Sequence, residues 1–268
     1  MSAIVPSYIA KVARAKKHLV DLQAEIDAYA ESRPYAVGEQ VEGKKKQKLR
    51  RRLIFTGDPA NTDIPIIAAD VIYNLRSSLD HLMGALVSNS RRGSVMFPVF
   101  FQGVWESVLT GENEQRTKER GRWTTCVKGV APEAVAFLKK VQPPDEGSET
   151  HANLLRTLNE WSNRDRHERL PVVAPGLRGM MVRFKKADGA YGHGIGVPRN
   201  EDAIFNDRTE IRSIPNDAAD IEIAGVPVIA IRVGAAKRYL EIPEHLRLTV
   251  RMIEEDIIPS LSPYIRGS

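Results

Sequence analysis

The chain has 268 residues, enough for one large domain or two small ones with a sizeable core. It is 42% hydrophobic and 27% charged, the composition of a soluble globular protein, and no apolar run approaches the roughly 18–20 residues that a helical membrane span needs. Lys plus Arg (39) exceeds Asp plus Glu (34), a formal charge of +5 and a pI near 9.3, and the excess is not spread evenly along the chain.

Met1 to Tyr8 has neither a charged n-region nor an apolar h-region, so no signal peptide is read. The single cysteine, Cys126, excludes an intrachain disulfide framework and suits a reducing compartment. The expectation is a cytoplasmic protein with no membrane partner.

Residues 5–32 read as a long helix. Ile9, Val12, Ala13, Lys16, Leu19, Val20, Leu22 and Ile26 repeat near 3.6 residues, and Arg33-Pro34 stops the pattern. Residues 35–63 carry Gly38, Gly43, Gly57 and Pro59 around an extended piece, Leu49 to Phe55, and read as a basic β-hairpin or ordered loop. In it, Lys44, Lys45, Lys46, Lys48, Arg50, Arg51 and Arg52 place seven charges within nine residues. Such a block suits a nucleic-acid backbone or another anionic surface. A solvated hairpin or loop that needs no ligand is the better reading, because no aromatic residues interleave the charges for base stacking.

Residues 64–89 form the strongest helical pattern. Gly93 to Phe101 reads as an extended segment running across the helices. Residues 102–110 and 131–140 read as short helices, separated by the charged stretch 111–125. Pro143-Pro144 resets direction, and Glu149 to Arg164 is a further helix. From Leu170 the pattern turns to short β runs at 170–174, 178–186 and 219–233. Gly189 to Gly196 lacks the Lys-Ser/Thr ending of a phosphate loop and reads as a hairpin turn. Pro243 to Ile258 is an amphipathic last helix through Leu246, Val250, Ile253 and Ile257. The expected fold is mainly α within an α+β class. One domain, 1–268, holds a helical bundle (1–168 and 243–268) and a small antiparallel β insert at about 170–238.

The densest chemistry lies in the 64–89 helix, in Asp70-Val-Ile-Tyr-Asn74-Leu-Arg76-Ser-Ser-Leu-Asp80-His81, and at the end of the 149–164 helix, in Asn159-Glu-Trp-Ser-Asn163-Arg-Asp165-Arg166-His167. Burying one polar group without a partner costs roughly 1–3 kcal/mol, so the two clusters are expected to be neighbours. At about 100° per residue, Ile67, Val71, Leu75, Leu79, Leu82 and Leu86 make the core stripe, with Asp70, Asn74, Ser77 and His81 on its border. Arg76 and Asp80 take the remaining face with the spacing of a helical ion pair. Arg76 and His81 then diverge by about 140°. On the second helix, His151, Leu154, Leu155, Leu158, Trp161 and Asp165 share the inward stripe, beside Asn159, Asn163 and Arg166. An inward carboxylate at Asp165 needs a cation or donor, which His81, Arg76 or Arg166 could supply.

Each residue keeps two readings. His81 is a satisfied helix histidine, an acid–base group oriented by a carboxylate, or, least well supported, a metal ligand with Asp80, Asp165 and His167. Arg76 with Asp80 is a surface pair or a catalytic one. Asn74 and Asn163 bond backbone or substrate. Ser77 and Ser78 lack the strand–elbow setting of a serine nucleophile. No metal or cofactor is expected.

Arg76-Ser-Ser-Leu-Asp-His81 resembles the Arg-x4-His motif of HEPN-type nucleases, a superfamily of helical bundles found in toxin and defence systems. The wider pattern is Asn74-x-Arg76-x3-Asp80-His81, then Phe97-Pro98, then Asn163-x-Asp165-Arg166-His167. Over residues 64–168 it resembles a family of bacterial proteins of uncharacterised function. The HEPN resemblance implies a metal-independent RNase in which Arg76 holds the scissile phosphate and His81 assists the RNA 2′-hydroxyl. It also implies a site completed across a homodimer. From the residues themselves, Asn74, Asp80, Asn163 and Asp165 are further catalytic candidates, and Lys44, Lys45, Lys46, Lys48, Arg50, Arg51, Arg52 and Arg166 are candidate contacts to RNA. Ser77 departs from the amide or acid that commonly follows the motif arginine. The other reading is a non-catalytic binding or structural module whose polar clusters pin helices together.

Overall fold

A computed structural model of the chain describes residues 5–42, 48–87, 95–100, 114–143, 151–195, 205–206, 210–211, 214–233 and 238–265. The class is mixed α+β. The chain divides into two compact units, one made of residues 1–21, 66–170 and 244–268, the other of residues 22–65 and 171–243. The basic hairpin and the β insert, separate features in the sequence reading, thus belong to one unit.

The helical unit contains the first part of α1 (Ser7–Glu31), then α2 (Ile64–Leu86), α3 (Glu114–Val127), α4 (Pro132–Lys140) and α5 (His151–Asp165). It ends with α6 (Ile242–Arg251), which passes through a π-helical turn, Met252–Ile257, into α7 (Ile258–Leu261). The centre is α2. Ile64, Ala68, Val71, Ile72, Leu75, Leu79, Leu82, Met83 and Leu86 recur every three or four residues, and none is more than 1% exposed. Each such side chain contributes about 1.5–3 kcal/mol by leaving water. Ile67, expected on that stripe, is half-buried. Also buried in this unit are Tyr8, Val12 and Ala15 of α1, Leu138 of α4, Leu155, Leu158 and Trp161 of α5, and Leu246, Ile253, Ile257 and Leu261 near the C-terminus.

The charged stretch expected to separate two helices is itself a helix over most of its length, α3. Its Glu, Gln, Arg and Lys residues are strong helix formers, and Trp123 is its buried anchor. An apolar stripe is what periodicity detects, and α3 has almost none. The helix expected at 102–110 lies outside the described residues, as do Lys44, Lys45 and Lys46.

The β unit begins with the end of α1, where Arg33 takes a left-handed backbone (φ 50) ahead of Pro34. Strands β1 (Tyr35–Glu42) and β2 (Lys48–Phe55) then pair antiparallel with Tyr35 opposite Phe55 and Glu39 opposite Arg51. A five-stranded antiparallel sheet follows from β3 (Val172–Lys185), β4 (Tyr191–Ile195), β5 (Phe205–Asn206), β6 (Ala219–Val233) and β7 (Arg238–Glu241). Its order is β4-β3-β6-β7, with β5 also on β3. The two runs expected at 170–174 and 178–186 are one strand, because Pro175 sits where the β3–β6 register shifts between Val173 and Gly176. The glycine-rich piece supplies the turn at its start, with Gly189 at φ 83, and then continues as β4.

Leu53 of the hairpin packs with Leu177, Met180, Val182, Phe184, Ile211 and Ile214, and Tyr35, Val37 and Phe55 lie against them. One interaction holds this arrangement together. Arg51, 5% exposed, donates Nε to Glu39 Oε1 at 2.8 Å, Nη2 to the carbonyls of Asn216 (3.3 Å) and Ala218 (3.1 Å), and Nη1 to that of Pro215. It cross-links the hairpin to the loop entering β6, serving the Asn216 and Ala218 carbonyls and adding to the Ala218 N–H that already bonds the Pro215 carbonyl. Arg51→Ala is therefore expected to lower the unfolding free energy by about 2 kcal/mol, since it leaves the Asn216 and Ala218 carbonyls without their side-chain donor and removes a buried cation's packing. Urea titration followed by circular dichroism measures this, and a loss below about 1 kcal/mol would refute it.

Candidate functional site

Residues 95–100 are neither helix nor strand and pair with no strand among the described residues, yet Val95, Phe97 and Pro98 are buried. Their backbone groups still need partners. Side chains supply them. Arg76 Nη2 donates to the Phe97 carbonyl at 2.8 Å, and Asp80 Oδ1 accepts from the Phe97 N–H at 2.8 Å. The two side chains are also paired with each other at 3.0 Å. One i, i+4 ion pair of α2 thus grips both polar groups of one residue. Three positions on, Gln142 Oε1 accepts from the Phe100 N–H at 2.7 Å while its Nε2 donates to Pro98 and Leu138 carbonyls at 3.1 and 2.8 Å.

Gln142 was not among the sequence candidates. Its signal was a lone amide between a short apolar helix and Pro143-Pro144, which is weak, because a glutamine there is usually solvated. In the structure it is fully buried.

Arg76 is 6% exposed, which corrects the surface-pair reading: the Arg76–Asp80 face is turned inward. Burial lowers its pKa, with the Asp80 charge opposing the change and Arg166 adding to it. Its Nη1 is buried and has no hydrogen-bond partner among the described residues. Asn74 is buried and donates Nδ2 to the Asp70 carbonyl one turn back at 2.8 Å, so its amide is spent within α2. Ser78, fully buried, donates to the Tyr8 carbonyl at 2.8 Å and ties α2 to α1.

His81 is exposed. Because α2 is α-helical throughout Ile64–Leu86, positions 76 and 81 leave it about 140° apart, one inward and one toward solvent. Among the candidates, Arg76 and Asp80 are therefore brought together, and His81 does not join them. Asp165 is also exposed, in place of the inward position expected, as are Asn163, Arg166 and His167. The helix gives out at Asp165, so its stripe no longer constrains these side chains. The two polar clusters are nonetheless electrostatic neighbours. Asp165 has its pKa raised, first by the protein around it and then by the Asp70 carboxylate, and Arg166 lies within range of Arg76.

The basic block divides. Arg51 is the internal cross-link described above, which corrects its assignment to a nucleic-acid surface. Arg50 pairs with Glu210 at 3.3 Å, and Arg52 is a half-buried strand residue bridged to Glu210 through the backbone. Lys48 opens β2 opposite Glu42. Among the described residues, no three His, Cys, Asp or Glu side chains gather as a metal-ligand set, and no helix is long and apolar enough to cross a membrane.

A further perturbed titratable group lies outside both clusters. His245 of α6 packs on Trp161 with ring centroids 5.0 Å apart, and its Nε2 is buried with no hydrogen-bond partner among the described residues. Desolvation lowers its pKa to about 4.

Comparisons of the chain with models of known protein families, with curated proteins and with solved structures find no match.

Two outcomes follow. Arg76→Met and Asp80→Ala should each cost about 3 kcal/mol by leaving a buried partner and a Phe97 backbone group unpaired, while His81→Ala should change stability by less than about 0.5 kcal/mol. Chemical denaturation of the three variants measures this, and equal losses would disprove the clamp. Separately, unfolded His245 takes up a proton below pH 6.5 while the folded form resists until about 4. Stability should then be full above pH 6.5 and fall by up to about 3 kcal/mol as the pH drops to 4. His245→Phe should flatten that part of the stability profile, and an unchanged slope would exclude His245 as its source.

Proposed function

We propose that this chain is a non-catalytic binding module, whose helical part is a bundle pinned by its polar clusters. The observation that carries this reading is the commitment of Arg76. An arginine that grips a phosphate must present its guanidinium to solvent, and this one is buried, paired with Asp80 and bonded to the Phe97 carbonyl. The acid–base partner such chemistry would need, His81, stands on another face of α2.

The charge distribution supports the same reading. Two of the three arginines of β2 are engaged by Glu39 and Glu210, which leaves less of the basic block to track a phosphate backbone. The network pattern fits a scaffold: Arg76, Asp80 and Gln142 serve backbone groups, as helix-pinning residues do.

The test is an RNA-cleavage assay with single-stranded and hairpin RNA at high protein concentration, once with EDTA and once with Mg2+. Intact RNA is the expected result in both. Cleavage that persists in EDTA and disappears in His81→Ala, a variant that should stay folded, would overturn the proposal and establish the metal-independent nuclease, with its homodimeric site, in its place.

A further inference from the structure

The β unit holds a cleft of about 730 Å³. That size falls in the range of small-molecule sites, about 300–1,000 Å³. One wall is the chain leaving β2, Phe55 to Pro59. Tyr29 holds it in place by donating its hydroxyl to the Gly57 carbonyl at 2.8 Å, and Gly57 must stay small because a Cβ there would meet the Pro34 Cβ at 2.9 Å. Another part of the lining is the β3 bulge, where Ala174 and Pro175 step out of the ladder with β6 beside the paired Val173. Arg232 and Tyr239, opposite each other on β6 and β7, close one side.

Two charges line this cleft. Arg232 is exposed and makes no ion pair among the described residues. Asp58 uses Oδ1 to cap the turn at Ala60 N–H, at 2.9 Å, and likewise makes no ion pair. A purely anionic ligand would meet repulsion from Asp58, and a purely cationic one from Arg232. A molecule carrying both charges satisfies both groups at once, with charge-assisted hydrogen bonds at each end. Phe55, Val173 and Pro175 add an apolar wall for a hydrocarbon or aromatic side group.

We infer that the cleft binds a zwitterionic ligand of amino-acid or short-peptide type, its carboxylate on Arg232, its ammonium on Asp58 and its apolar side chain against Phe55 and Pro175. This site lies in the β unit and does not depend on the reading of Arg76 and His81. An RNA-cleavage result in either direction leaves it standing.

The experiment is isothermal titration of the full chain with leucyl-phenylalanine, its N-acetyl derivative and its C-terminal amide. The same three forms of phenylalanine are run alongside. In the wild type, either modification of a charged end should weaken binding about tenfold or more. Asp58→Asn keeps the turn cap, and it should remove the sensitivity to acetylation while keeping that to amidation. Arg232→Met should do the reverse. A charge dependence of this kind in the dipeptide series assigns a peptide, and in the phenylalanine series a free amino acid. No binding in either series at millimolar ligand would overturn the inference. So would affinity indifferent to both modifications, or sensitivities that survive both substitutions in variants with unchanged circular dichroism.

Discussion

The helical unit depends on one constraint: a largely buried segment, residues 95–100, that is neither helix nor strand and has no strand beside it among the described residues. Backbone N–H and C=O groups out of water require partners, and each one left bare costs as much as a lost hydrogen bond or more. Helices satisfy theirs internally and strands satisfy theirs in pairs. Residues 95–100 do neither, so the surrounding side chains do it for them. Arg76 and Asp80 bracket Phe97, and Gln142 brackets Pro98 and Phe100. What this secures is the burial of Phe97, 1% exposed. The polar residues that look like chemistry in the sequence are what makes that burial affordable.

The β unit solves a similar problem with the same device. Its loop entering β6 presents carbonyls of Pro215, Asn216 and Ala218, and Arg51 collects all three from the hairpin. Arginine suits both places because its fork of donors reaches several acceptors at once and stays charged when buried. In each unit a carboxylate, Asp80 or Glu39, balances the cation. The difference lies in exposure: Asp80 is largely covered, whereas Glu39 is half in water, which screens its contribution.

Much of the fold was legible because it rests on periodicity. The apolar repeat of α1, α2, α5 and the last helix, the hairpin at 35–55 and the strands near 172–185 and 219–233 all announce themselves by spacing. What escaped has little periodicity to read. α3 is a helix made of charged helix formers around one buried tryptophan, and β7 is four residues long. The π-helical turn at Met252–Ile257 sits inside an apolar pattern that an ordinary helix would equally explain. Within the polar clusters, the i, i+4 spacing of Arg76 and Asp80 correctly indicated an ion pair, but not which way it faced, because a salt bridge has the same spacing inside and outside.

By itself, the sequence determined the helices and strands with a clear period, the Arg76–Asp80 spacing and the adjacency of two polar clusters, since these follow from local spacing and from the cost of burying lone polar groups. Only the tertiary structure decided that Arg76 and Arg51 serve backbone carbonyls, that His81 and Asp165 face water, and that Arg232 and Asp58 share a cleft. Those outcomes depend on what residues far away in the chain present at the same place, and neither a period nor a motif encodes that.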